Sequence, residues 1–157
     1  MGVPVVYRSW QYECCGDPFR VGDQVDWPLK LSLGGEPWMP HDWLIEAELQ
    51  PTPEAGGHGV RVGHVLAYAD EPIQQAARDR VIFYEEHHGE IPEEIGGTRG
   101  RVSGIQVVSV VFRDGRALSG TVEVREVDAV PEVFGSGAGR EFRSEVGVLV
   151  DLEPASA

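Results

Sequence analysis

Two pairs of adjacent residues carry the reactive atoms of this chain. Cys14-Cys15 supplies its only thiols, and Glu85-Glu86-His87-His88 sets two imidazoles beside two carboxylates. Thiolate and imidazole are the donors zinc prefers, so two such pairs contain a possible four-ligand set. The spacing opposes a simple version. Structural zinc sites separate their cysteines by two to four residues, whereas neighbours on a strand face opposite ways. One cysteine and one histidine could still converge, with Glu86, His64 or His41 assisting. The same groups permit a second chemistry, a thiolate activated by imidazole that attacks carbonyls. No motif around them specifies which pair meets. The alternative role for a cysteine here is packing as a small hydrophobe.

A second set of residues suggests contact rather than chemistry. Pro37-Trp38-Met39-Pro40-His41-Asp42-Trp43 concentrates large apolar groups where a loop should be polar. Exposed tryptophan and methionine are enriched in binding patches. With Trp10 and Phe19 from the N-terminal turn region, Trp38, Met39, His41 and Trp43 form the expected partner-binding set. The competing reading is a lid folded back over a barrel end. The glycine-rich stretches 96–100 and 135–139 lack the lysine of a phosphate loop and read as hairpin loops or hinges.

The elements that position these residues read mostly as strands. From Val25 to Leu33 every second residue is large and apolar (Val25, Trp27, Leu29, Leu31, Leu33), which gives one buried row. Pro28 on the polar row fits an edge or a bulge. Val3–Glu13 reads as the first strand, Gln24–Leu33 as the second, and 43–49 and 60–68 as two more. Arg101–Arg113 is apolar on both faces, as in a strand buried on both sides or bent between two sheets. Asp114-Gly115 marks a hairpin, with Leu118, Val122 and Val124 inward on the returning strand. Glu141–Leu152 closes the pattern. Asp70 to about Asp79 reads as the one short helix, followed by a strand through Val81–Tyr84. The expected fold is therefore mainly β: one domain over 1–157, a small barrel or barrel-like sandwich of about eight strands. Loops near 51–59, 92–100 and 131–140 are expected to be mobile, and the tail 153–157 frayed.

Composition narrows the function classes. Net charge is −13, from 26 acidic and 13 basic residues, which argues against nucleic-acid binding. The charge serves solubility, or mimicry of a polyanion on a basic partner. No apolar run is long enough to span a membrane, and the N-terminus lacks the pattern of a secretory signal or a myristoylation start. Two adjacent cysteines without further partners indicate a reducing cytoplasm.

Trp10-Gln11, Cys14-Cys15-Gly16-Asp17-Pro18-Phe19, Val21-Gly22-Asp23 and Val25-x-Trp27 resemble the opening of a family of small uncharacterised bacterial proteins from GC-rich genomes, a domain of unknown function. Glu86-His87-His88-Gly89, Thr98-Arg99-Gly100-x-Val102 and Gly147-x-Leu149-Val150-Asp151-Leu152 are also similar to it. The resemblance implies no activity. It does imply that the Cys-Cys and His-His stretches belong to one plan. The first functional expectation is a non-catalytic binding or accessory module that meets a protein partner and needs no cofactor. The alternative is a zinc-dependent or thiol-based enzyme built on Cys14, Cys15, His87 and His88.

Overall fold

The computed structural model describes residues 2–156, so the expectations placed on Met1 and Ala157 lie outside the described residues. The chain runs β1 (Val3–Arg8), α1 (Ser9–Cys15), β2 (Gln24–Trp27), β3 (Leu29–Leu33), β4 (Ile45–Pro51), β5 (Gly59–Val62), β6 (Val65–Tyr68), β7 (Ala77–Glu85), β8 (Thr98–Arg113), β9 (Arg116–Ala117), β10 (Glu123–Val127) and β11 (Glu141–Pro154). The strands form one sheet in the order β10-β8-β11-β1-β7-β3-β6-β5-β4. Because β4 also pairs with β7, the last five close into a small barrel. The other strands extend from β7 through β1, and β2 and β9 add to β8. This is the mainly β barrel that the alternating rows imply.

Three departures have physical causes. The strand expected over Gln24–Leu33 breaks at Pro28, whose missing N–H interrupts the ladder. β2 then pairs with β8 while β3 pairs with β7. The stretch 60–68 is a hairpin, with Gly63 at φ 56 turning β5 into β6. These breaks and the short β9 raise the strand count to eleven among the described residues. Asp114 and Gly115 do form the expected tight turn, both at positive φ. Val124 is 45% exposed rather than inward, because β10 pairs with β8 alone. At the far end, Glu153 and Pro154 are still paired with Arg101 and Gly100.

The helix sits elsewhere than expected. Residues 70–76 carry no helix, and Ala77–Glu85 is all strand, as its β-branched and aromatic run favours. The first strand instead ends at Arg8, and Ser9–Cys15 is helical. Seven residues are too few for a helix that stands alone, so packing holds it. Tyr12 meets Tyr7 edge-on at 5.8 Å and Phe134 at 6.1 Å, and Gln11 is fully buried. Two glycines permit the corner. A Cβ on Gly16 would lie 2.6 Å from the Tyr7 hydroxyl. Gly147, at φ 149 beside a bulge in β11, faces Arg8, and its Cβ would lie 2.3 Å from the Tyr7 carbonyl.

From Val81 onward β7 is buried on both faces, so its side chains alternate between two apolar clusters. Val81 and Phe83 join the main core with Val5 and Tyr7. Ile82 and Tyr84 join a smaller cluster with Val6, Met39 and Leu44. The same alternation carries on into Glu85 and Glu86, both only 2% exposed, and sends their carboxylates to opposite sides.

Candidate metal centre

The end of β7 and the last turn of α1 bring the two reactive pairs together. On a helix, neighbours are rotated by about 100°, not the 180° of a strand, so adjacent thiols can share a side. The Cys14 and Cys15 sulfurs are 3.0 Å apart. His88 Nε2 lies 3.3 Å from Cys14 Sγ and 3.4 Å from Cys15 Sγ. His87 Nε2 lies 3.3 Å from Cys15 Sγ. The donor atoms of Cys14, Cys15 and His88 all fall within 4.8 Å of one another, and His87 flanks this group through Cys15. The objection drawn from strand geometry fails because α1 replaces the expected strand.

Both imidazoles are aimed by buried groups behind them. Glu85 accepts from His87 Nδ1 at 2.7 and 2.8 Å, and the Tyr7 hydroxyl stands 3.4 Å from the same nitrogen. For His88 the chain of bonds is longer. Arg8 donates to Glu86 Oε2 at 3.1 Å, and Gln11 Nε2 donates to Glu86 Oε1 at 2.8 Å. The Gln11 amide oxygen therefore points the other way and accepts from His88 Nδ1. With Nδ1 protonated in each ring, each Nε2 presents a lone pair toward the sulfurs. A hydrogen-bond acceptor on the far nitrogen is the usual companion of a metal-ligating histidine.

Charge and burial shape the site further. Burial raises the Glu85 carboxyl above its ordinary range, with Glu86 adding to the rise and the His87 hydrogen bond opposing it. Burial, then Glu85, raises the Tyr7 phenol. The Cys15 thiol is raised chiefly by its hydrogen bond to Cys14. Trp10, 53% exposed, forms a wall, its ring 5.2 Å from that of His88. The Arg8 guanidinium lies 5.0 Å from the Trp10 ring and 4.9 Å from the Tyr84 ring.

The other expected site residues scatter. Phe19, 5% exposed, packs on Trp27 and Tyr7 inside the core, and Met39 is buried under the small cluster. Each is buried and fills an apolar gap. Trp38 and Trp43 meet edge-on at 6.1 Å and rest half-buried on that cluster. His41 is exposed in a short turn of helix, His41–Trp43, and His64 lies in the β5–β6 turn; neither joins the three-group cluster. Tyr7, Arg8 and Gln11 were not singled out from the sequence. Their signal was position alone: Tyr7 and Arg8 end the strand before α1, and Gln11 lies one turn before the cysteines on α1.

A family model matches nearly the whole of this plan, over residues 1–154. The chain belongs to the family of unknown function DUF6578. No curated protein and no solved structure matches it. The match places both reactive pairs of this DUF6578 chain inside one family domain. Among the described residues no helix is long and apolar enough to cross a membrane.

Proposed function

We propose that this DUF6578 domain binds a transition metal, zinc being the best suited, between the end of α1 and the end of β7. One observation carries the reading: three soft or borderline donors lie within 4.8 Å of one another, with the His88 ring fixed from behind. Thiolate and imidazole favour zinc over magnesium or calcium, which take oxygen ligands. The test is elemental analysis of tag-free protein. About one equivalent of zinc per chain is expected, falling sharply in Cys14→Ser and His88→Ala. Absence of stoichiometric metal after zinc loading refutes the reading.

The thiol-enzyme reading has a Cys15–His87–Glu85 line in its favour. Against it, the cysteines close the C-terminal end of a helix, where the backbone disfavours a thiolate, and the Cys15 thiol is raised. Slow reaction of Cys15 with a disulfide reagent is expected. The partner-docking reading retains Trp10, Trp38, Trp43 and His41, and the 53% exposure of Trp10 is its best support. A Trp10→Ala/Trp38→Ala variant that folds yet keeps every partner of the parent protein removes it. A cytoplasmic location agrees with the reduced thiols this site needs.

A further inference from the structure

Whether the centre is closed or open depends on His87. The three-group cluster excludes it. Its ring stacks on that of His88, with centroids 4.5 Å apart and planes tilted by 28°. An imidazole binds a metal along its in-plane lone pair. Two stacked, nearly parallel rings do not share an in-plane meeting point close to both Nε2 atoms, so one ion lies in line with His88 or His87, not both. The contacts to both sulfurs assign it to His88.

His87 is nonetheless the better-anchored ring. Both oxygens of the buried Glu85 hold its Nδ1, and Tyr7 sits behind. A histidine whose far nitrogen is fixed by a carboxylate, and whose near nitrogen faces a reactive centre, is the arrangement of a general base. Three protein ligands with a fourth position left to water distinguish catalytic from structural zinc.

Resting on the metal reading above, we propose that the centre is hydrolytic. Cys14, Cys15 and His88 hold the ion, and His87, positioned by Glu85, serves as the base. A water gives one proton to His87 Nε2 while its oxygen bonds to the carbonyl carbon of an ester or amide. The bond to the leaving group then breaks, and that group departs with the proton His87 returns. Water and substrate give acid and alcohol or amine, with no change of oxidation state.

A cleft adjoins the centre through Trp10, on the side of His88. About 610 Å³ of space opens beside Trp10, between Trp38, Tyr84, Phe112 and Phe142. Phe112 and Phe142 stack at 5.6 Å across β8 and β11. The volume suits a small molecule, and Arg8, Glu36, Arg116 and Glu145 line the cleft beside its aromatic walls.

Cobalt-loaded protein and the p-nitrophenyl ester of 3-phenylpropanoic acid provide the test. Parent protein should show sulfur-to-cobalt absorption that azide alters, and metal-dependent ester hydrolysis. His87→Ala should keep one cobalt and the azide response, and lose about 100-fold or more in hydrolysis. Loss of cobalt from His87→Ala would make His87 a fourth ligand and sink this proposal while leaving the metal site intact. An azide-insensitive spectrum, or no hydrolysis above the metal-free protein, overturns it equally. Failure of the parent protein to take up any cobalt removes the metal reading as well.

Discussion

Gln11→Leu isolates the bond that aims His88. Gln11 is fully buried, and its two amide atoms each have one partner: Glu86 on the nitrogen side, His88 on the oxygen side. Leucine fills a similar volume and removes both bonds. Glu86 keeps Arg8 and the His88 backbone N–H at 3.1 Å, so its charge stays compensated. Loss of the bond to the charged Glu86 costs metal-free stability roughly 1.5 to 3 kcal/mol, and loss of the bond to His88 adds about 0.5 to 1.5 kcal/mol. The larger diagnostic effect is on the ion. Removing the acceptor that holds a ligating imidazole from behind typically lowers affinity by about 10- to 100-fold. With free metal at 100 times the parent Kd, binding stabilises the parent by about 2.7 kcal/mol, and a tenfold weaker variant by about 1.4. The metal-induced rise in Tm should therefore shrink by about 3 to 5 °C in a domain of this size. Competition against a chromophoric chelator gives the affinity directly, and thermal unfolding with and without metal gives the shift. An affinity within about threefold of the parent would refute the argument that Gln11 orients His88.

Three more outcomes follow from the fold. Gly16→Ala forces a methyl to 2.6 Å from the Tyr7 hydroxyl and 2.9 Å from Tyr12 Cα, and should cost about 1 to 3 kcal/mol in urea unfolding; a neutral result contradicts the tight corner. Phe83→Ala empties a fully buried site at the junction of barrel and extension and should cost about 3 to 5 kcal/mol; a loss below about 1 would place Phe83 outside the core. Tyr7 and Tyr84 are both raised above the ordinary phenol range, first by burial and then by Glu85 and Glu36 respectively. Their folded pKa exceeds the unfolded one, so their stabilising contribution is complete below about pH 10 and is lost as pH rises beyond it. Absorbance at 295 nm should show these two phenols ionising together with loss of the fold; ionisation of both near pH 10 with the β spectrum intact would contradict their burial.

The barrel was legible because strand alternation is a local property. Val25, Trp27, Leu29 and Leu31 announce one buried row whatever their partners are. Pro28 announced trouble in that row, but only the pairings show that the strand divides between β8 and β7 there. The first helix was not legible. Its β-prone tyrosine and tryptophan mask it, and burial of Gln11 and Tyr12 against the sheet decides the matter. That one error hid the site's geometry, since a strand would have pointed Cys14 and Cys15 apart. Phe19 and Met39 illustrate the converse: large apolar residues in turns read equally well as contacts or as plugs, and here they are plugs.

Zinc K-edge X-ray absorption on tag-free, zinc-loaded protein tests the central claim most directly. The account predicts two sulfur scatterers at about 2.3 Å, with imidazole nitrogen and one further light atom at about 2.0 to 2.1 Å. A shell of nitrogen and oxygen alone, with no sulfur, would contradict it.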